Sequence, residues 1–427
     1  MINYNYDNKM VIKFIDLFAG LGGFRIALEK IAKKKKIKVK CVLVAEIDKH
    51  VIETYKANFG KSEKILDIKN IDSHCSQVPD HNFLFAGFPC QCFSNAGKKQ
   101  GFLDEIRGKL FFDIVKILRV KKPKYFILEN VKYLVNHENG ETWKTIMNEL
   151  DKLGYAVPEK PLILSPHMLN IPQERYRVFI PGILRSKMKK PTKYLDFDFS
   201  KYFKIYNHTK KTIEENFLDK NVESKYFLNP KNANDKYLIN VFKAWEEFVK
   251  NVKFPKNMTL PVIWLNQMIK PIFSNSNPKW KNDYLKKMNS FYKANKFFID
   301  KWMKKHKTYL WKLREQKFEW QMGKENNDIK QAIITLRQSG IRCKKFKKFP
   351  TLVAIVQTTL IFDHFKKQWR HLTPRECARL QSFPEKYKLY NEINSEKNSN
   401  YYSYKQLGNS LNLDIVSIVE RELLDYV

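Results

Sequence analysis

The sequence predicts an α/β protein: a mostly parallel sheet covered by helices on both faces, with a second, smaller domain. Three observations carry this. Short β-rich runs alternate with helix-length segments as far as residue 184, the pattern of a parallel sheet buried on both sides. The chain has 427 residues, more than one typical domain needs. Its middle also has a different composition: no Gly lies between Gly182 and Gly323, no Arg between Arg185 and Arg314, and six of the eight Trp fall in residues 245–320.

Taken in order, "VIKFIDLF" (11–18), "VKCVLVAE" (39–46), "NFLFAGF" (82–88), "KYFILENV" (124–131), "EKPLILS" (159–165) and "YRVFIPGIL" (176–184) read as strands, being apolar, β-branched and short. Helical patterns at 109–120 and 141–153 lie between them, and "KKKK" at 33–36 reads as the solvated end of a helix. In the middle, Leu285, Met288, Phe291, Phe298, Trp302, Leu310 and Leu313 recur at roughly helical spacing among many Lys. That spacing predicts core-facing positions with a basic solvated face. Ligands of such sheets sit at the carboxyl ends of the strands.

The formal net charge is +35, which points to a polyanionic partner, nucleic acid first. Of the 79 basic residues 66 are Lys and 13 are Arg, so part of the excess reflects a compositional default to Lys. In such a chain the few Arg are expected where a planar fork matters. Six scattered cysteines form no disulfide-like framework, the first residues carry no apolar leader, and no apolar run approaches the ~20 residues of a membrane span. The expectation is a cytoplasmic bacterial protein, with no membrane partner and a monomer as default.

Five motifs carry chemistry. "FIDLFAGLGGFRIAL" (14–28) is a strand running into a glycine-rich turn that opens a helix, and Glu46 stands 26 residues past Gly20 at the end of the next strand. Close backbone approach at the glycines and a carboxylate for a ribose diol suit a nucleoside. In "AGFPCQCFSNAGKK" (86–99) Cys90 follows Pro89 at a strand's carboxyl end. That position favours a reactive thiol over a core residue, and a metal clip lacks further ligands around Cys90 and Cys92. Glu129 in "ENV" ends an apolar strand, either as a proton donor of raised pKa or as an ion-pair partner. Arg175 and Arg177 alternate at a strand start, which predicts one shared face. "YKQLGNSL" (404–411) places Gly408 and Asn409 before a terminal helix.

In combination, "DLFAGLGG", "GFPCQ", "ENV", "QERYR", "LTPRECARLQSFP" (372–384) and "KQLGNS" occur in that order and closely resemble the cytosine-5 DNA methyltransferases, over about residues 12–184 and 335–424. The resemblance implies an S-adenosylmethionine-dependent, Rossmann-like catalytic domain at 1–187, completed by 400–427. It implies a target-recognition domain at 188–399 that includes the penultimate motif. Two stretches depart from the pattern: "GFLDEIRGKLFFDI" (101–114) is longer before Arg107, and "RQSGIRCKKFKKFPTLVA" (337–354) fits only loosely.

The family's chemistry, carried onto matching residues, implies that Cys90 adds to C6 of a flipped cytosine, Glu129 meets N3 in protonated form, and Arg177, aided by Arg175, holds O2. By the same carry-over Phe18, Gly20, Gly22, Glu46, Ile47, Asp67, Ile68 and Asn409 bind S-adenosyl-L-methionine. Pro89, which fixes the approach of its loop, is grouped with them. Gln91 and Ser94 support that loop and contact DNA, and no metal is expected. The implied partners are double-stranded DNA and a cognate restriction endonuclease. A transfer RNA cytosine-5 methyltransferase and a catalytically silent DNA-binding regulator are the alternatives. Since Arg is absent from 186–313, base reading in that span would fall to Lys, Asn, Gln or main chain.

Overall fold

The structure is a computed structural model that describes residues 11–60, 64–89, 108–205, 207–253, 262–323, 325–354 and 359–426. The chain divides into two compact units, one of Met1–Asn207, Thr351–Ile355 and Cys377–Val427, the other of His208–Pro350 and Val356–Glu376.

The first unit is built on strands β1 (Val11–Leu17), β2 (Lys38–Ala45), β3 (Ile65–Leu66), β4 (Phe83–Gly87), β5 (Tyr125–Val131), β6 (Tyr155–Pro158), β7 (Leu162–Leu164), β8 (Arg177–Leu184) and β9 (Tyr194–Leu195). Their order is β3-β2-β1-β4-β5-β8-β6-β9, with β7 also on β8. The strands from β3 to β5 run parallel, whereas β8 runs antiparallel to β5. All six predicted runs are strands, and helices Gly108–Lys121 and Glu141–Lys152 stand where the periodicity placed them.

Alternation along each strand divides the core between two faces. On β4, Leu84 and Ala86 join one cluster with Ile114, Leu118, Ile146 and Leu150. Phe83 and Phe85 join the other with Phe24, Leu28, Val416 and Val419. The last helix, Leu413–Asp425, is therefore core to this unit and is tied to helix Gly23–Lys35 by Lys30 and Asp414 at 3.1 Å. The four lysines 33–36 are exposed at that helix's end.

The contact boundaries differ from the 1–187 and 188–399 division read from sequence. Residues 188–207 and 377–399 belong with the first unit because their side chains dock there. The Tyr387 hydroxyl donates to the Leu21 carbonyl at 2.8 Å, and the Phe197 ring meets Tyr426 at 5.1 Å.

The second unit carries a six-stranded sheet: β10 (Ile263–Trp264), β11 (Lys317–Gln321), β12 (Ala332–Arg337), β13 (Gly340–Lys345), β14 (Thr359–Asp363) and β15 (Gln368–His371), in the order β10-β11-β13-β12-β14-β15. The tryptophan-rich stretch is its core. Trp245 stacks on Phe318 at 4.3 Å, and the buried indoles of Trp245 and Trp302 donate to the carbonyls of Glu315 and Ala244. Leu285, Met288, Phe291 and Trp302 are buried as expected. Leu310 and Leu313 are 68% and 70% exposed instead, because the helix that would bury them ends at His306 and both lie in the following turn and loop.

Candidate active site at the carboxyl edge of the sheet

The turn after β1 is left-handed at three positions, Phe18 (φ 56°), Gly20 (φ 54°) and Gly22 (φ 71°). Gly22 also has no room for a side chain, since a Cβ there would sit 2.6 Å from the Phe59 ring. This bend brings the Gly20 amide to Glu46 at the end of β2, where it donates to Oε2 at 3.1 Å, while Ile47 and Asp48 N–H donate to Oε1 at 2.8 and 2.9 Å. The carboxylate is thus fixed by three backbone donors and keeps about one of its roughly four acceptor positions for a ligand hydroxyl.

Ile47 is 71% exposed, an apolar side chain held open beside that carboxylate. Asp67 caps the turn Ile68–Asn70 through its Oδ1, and Ile68 is buried in the core. At Ile68 main chain rather than side chain is what a ligand could reach. The glycine turn, Glu46 and Ile47 together fit a nucleoside.

At β5 the antiparallel run of β8 decides the geometry. Its first residue, Arg177, pairs with Val131, so a strand beginning meets the carboxyl edge of the parallel strands. The Arg177 Nε reaches Glu129 Oε1 at 3.1 Å, and both side chains are mostly buried. Burial pushes the Glu129 carboxyl up from its ordinary value, against the opposing pull of Arg177 and then Arg175. The site therefore holds an acid that keeps its proton more readily than usual, beside a fixed cation. That arrangement can donate to a ring nitrogen and hold a neighbouring carbonyl oxygen.

Arg175 does something different from Arg177. It precedes the strand, and its buried guanidinium donates to the carbonyls of Leu352 (3.1 Å), Gly408 (2.8 Å) and Ser410 (2.6 Å). Its own backbone is held in turn: Ser165 Oγ accepts from Arg175 N at 3.0 Å, and Thr351 donates to the Glu174 carbonyl at 2.8 Å. Gly408 is needed here because a Cβ would stand 2.4 Å from the Val353 carbonyl. Asn409, next in line, is exposed at the end of helix Ser399–Asn409. The two arginines are brought into one region, yet they serve different partners.

Pro89 is exposed just past β4. Cys90, Gln91, Cys92 and Ser94 lie outside the described residues, as does Arg107. Sequence reasoning assigned no role to Asn130, whose buried side chain donates to the Phe88 carbonyl at 3.2 Å and accepts from Val131 N at 2.8 Å. It ties the end of β5 to the residue before Pro89. The signal was present in the quoted "ENV", where a polar residue follows an apolar strand.

Comparison with known proteins places this site in context. The family model described as C-5 cytosine-specific DNA methylase matches residues 12–425. The chain is 34% identical to the Type II methyltransferase M.BanI of Aneurinibacillus aneurinilyticus over 97% of this chain and 96% of that one. It is 32% identical to the Type II methyltransferase M.DsaV of Dactylococcopsis salina over 98% and 88%. Among solved structures, the Dnmt2 methyltransferase of S. pombe superposes with a TM-score of 0.55 at 18% identity, covering 97% of this chain and 98% of that one. This last likeness is one of fold.

Proposed function

The chain belongs to the C-5 cytosine-specific DNA methylase family, and from this premise we propose that it methylates one cytosine within a short duplex sequence, as the modification partner of a restriction endonuclease. It is a DNA (cytosine-5) methyltransferase, and the family match favours DNA over the transfer RNA alternative. No helix among the described residues is long and apolar enough to cross a membrane.

The observation that carries the catalytic reading is the buried Glu129 beside Arg177 at the sheet's carboxyl edge. Carbon 5 of cytosine is too electron-poor to attack a methyl donor directly. Addition of the Cys90 thiolate to C6 makes C5 an enamine-like nucleophile, which takes the methyl group; loss of the C5 proton then returns the electron pair that expels the thiolate. Glu129, protonated, gives N3 a hydrogen bond as negative charge enters the ring, and Arg177 holds O2.

S-adenosylmethionine supplies an electrophilic methyl group when bound. Glu46 holds its ribose, Ile47 and the Asp67–Ile68 turn its adenine, and the turn of Phe18, Gly20 and Gly22 with Asn409 and Pro89 its remaining length. Arg175 acts as a positioning residue for the Asn409 segment. Gln91 and Ser94 serve the phosphate backbone. Extraction of the base from the duplex costs a few kcal/mol, which Lys-rich surface contacts to phosphate offset. The acting species is a cytoplasmic monomer.

Bisulphite sequencing of DNA from a methylation-deficient bacterial host expressing the chain tests this reading. Protected cytosines at one short motif, lost with Cys90→Ser, are expected. Full conversion, with soluble protein that binds S-adenosylmethionine, would turn the search to transfer RNA.

A further inference from the structure

Arginine is scarce in this chain, and the second unit reaches past the arginine-free span to include Arg337 and Arg342. These two share one face of the hairpin formed by β12 and β13. Arg342 pairs with Thr335 and Arg337 with Gly340, so the arginines are diagonal neighbours about 7–8 Å apart across the ladder. The connection between the strands is only Gln338 and Ser339, both exposed. Gly340 (φ 133°) lets the hairpin lie against β11, where a Cβ would meet Lys317 at 2.7 Å.

The charge balance of this face is unusual for a purely structural element. In the parallel pairing of β11 with β13, Glu319 lies beside Arg342 and its Oε2 accepts from Arg342 Nε. The terminal nitrogens of Arg342, and the whole guanidinium of Arg337, have no hydrogen-bond or ion-pair partner among the described residues. Arg337 is half-buried, and its proton affinity is held down first by burial and then by the charge of Arg342, which outweighs that of Glu319. Two half-buried guanidinium groups thus share one carboxylate. Both groups stay partly exposed, so their open nitrogens are hydrated and available to a ligand with paired acceptors.

We propose that the β12–β13 hairpin is a base-reading element of this methyltransferase, in which Arg337 and Arg342 take guanine on its major-groove edge and Glu319 fixes the fork of Arg342. A two-stranded ribbon fits that groove, and guanine is the base that offers two adjacent acceptors, O6 and N7, to a planar fork. A phosphate would need charge alone, which this Lys-rich chain supplies elsewhere without arginine. The inference rests on the DNA-methylating function set out above and adds guanine as a required base of the recognised sequence.

The test is methylation of a pool of duplexes with randomised sequence, read by bisulphite sequencing, with kcat/KM measured on the wild-type site. Arg337→Ala, Arg342→Ala, the two Lys variants and Glu319→Gln are compared, with thermal unfolding and S-adenosylmethionine binding as controls for folding. We expect each Ala and Lys variant to lose roughly 5- to 150-fold on the wild-type site, the discrimination one bidentate arginine contact supplies. A guanine position should become tolerant in the same variants, and Glu319→Gln should relax the position read by Arg342.

If the Ala variants do not fold, the Lys variants and Glu319→Gln carry the test alone. Unchanged sites and rates in all folded variants would overturn the proposal. So would rescue by Lys, with the Ala variants losing only about 0.9 of salt slope per charge, since that marks a phosphate contact. A wild-type chain that methylates no DNA overturns the functional reading and this inference together, whereas loss confined to the variants separates the two.

Discussion

Replacing Arg175 by Ala tests the division of labour between the two arginines of the site. The substitution removes three charge-assisted bonds and leaves the buried carbonyls of Leu352, Gly408 and Ser410 without their donor. Each orphaned group costs about 1–3 kcal/mol, and relief from burying the guanidinium recovers part of that sum. A net loss of about 3 kcal/mol follows, equivalent to roughly 6–12 °C in Tm at about 2–4 °C per kcal/mol for a domain of this size.

The Asn409 segment also loses its anchor, so KM for S-adenosylmethionine should rise. Arg177→Ala leaves Glu129 free to take up a proton, so Tm should move little while kcat falls about 10²–10³-fold. Calorimetry and steady-state kinetics on both variants decide the matter. An Arg175→Ala protein that unfolds like wild type yet loses kcat as Arg177→Ala does would refute the reasoning, because Arg175 would then act on the base and not on the backbone.

Glu129→Gln keeps the shape of the acid but cannot give up a proton, and it should lower kcat about 10²–10⁴-fold with cofactor binding intact. In the wild type, activity should fall as pH climbs through the raised folded pKa of Glu129, a limb that the Gln variant lacks; an identical pH profile in both would contradict the assignment. Glu420 on the last helix offers a stability test. Its carboxyl is wholly buried with neither oxygen partnered among the described residues, and burial, then the charge of Asp16, raise it well above the ordinary 4.5. Asp16, equally buried, is raised first by burial and further by Glu46, against Arg25. A folded value above the unfolded one means that the contribution of this group to stability is fully present below pH 4.5 and is lost as pH rises through the folded value. Glu420→Gln should therefore raise stability by about 1–3 kcal/mol at pH 8 and not at pH 4, as thermal melts at the two pH values would show.

The strands of the first unit were legible because each is a short apolar run whose alternate residues face two cores, and the glycine turn with Glu46 followed from their spacing. The meeting of Arg177 with Glu129 was not legible as geometry, since it depends on β8 running against its neighbours. Arg175 shows the limit most clearly. Its partners lie 177, 233 and 235 residues away in the chain, and no periodicity reports a contact at that range. Alternation could not by itself place Arg175, which precedes the strand and donates to those carbonyls while its charge, like that of Arg177, acts on Glu129. Leu310 and Leu313 continued a helical spacing past the residue where the helix ends. Arg337 and Arg342 fall in the loosely fitting stretch 337–354, and their shared face was not legible there because it depends on how β12 pairs with β13.

Covalent trapping is the most direct test of the central claim that Cys90 attacks C6 of a cytosine in duplex DNA. Duplexes amplified with 5-fluorocytosine in place of cytosine carry no proton at C5, so the elimination that releases the enzyme is blocked. With S-adenosylmethionine present, wild-type protein and Cys92→Ser should form a denaturant-stable complex whose mass is that of protein, DNA and one methyl group, mapping by peptide analysis to Cys90. Cys90→Ser should form none. Methylation without any adduct, or an adduct on Cys92, would contradict the account.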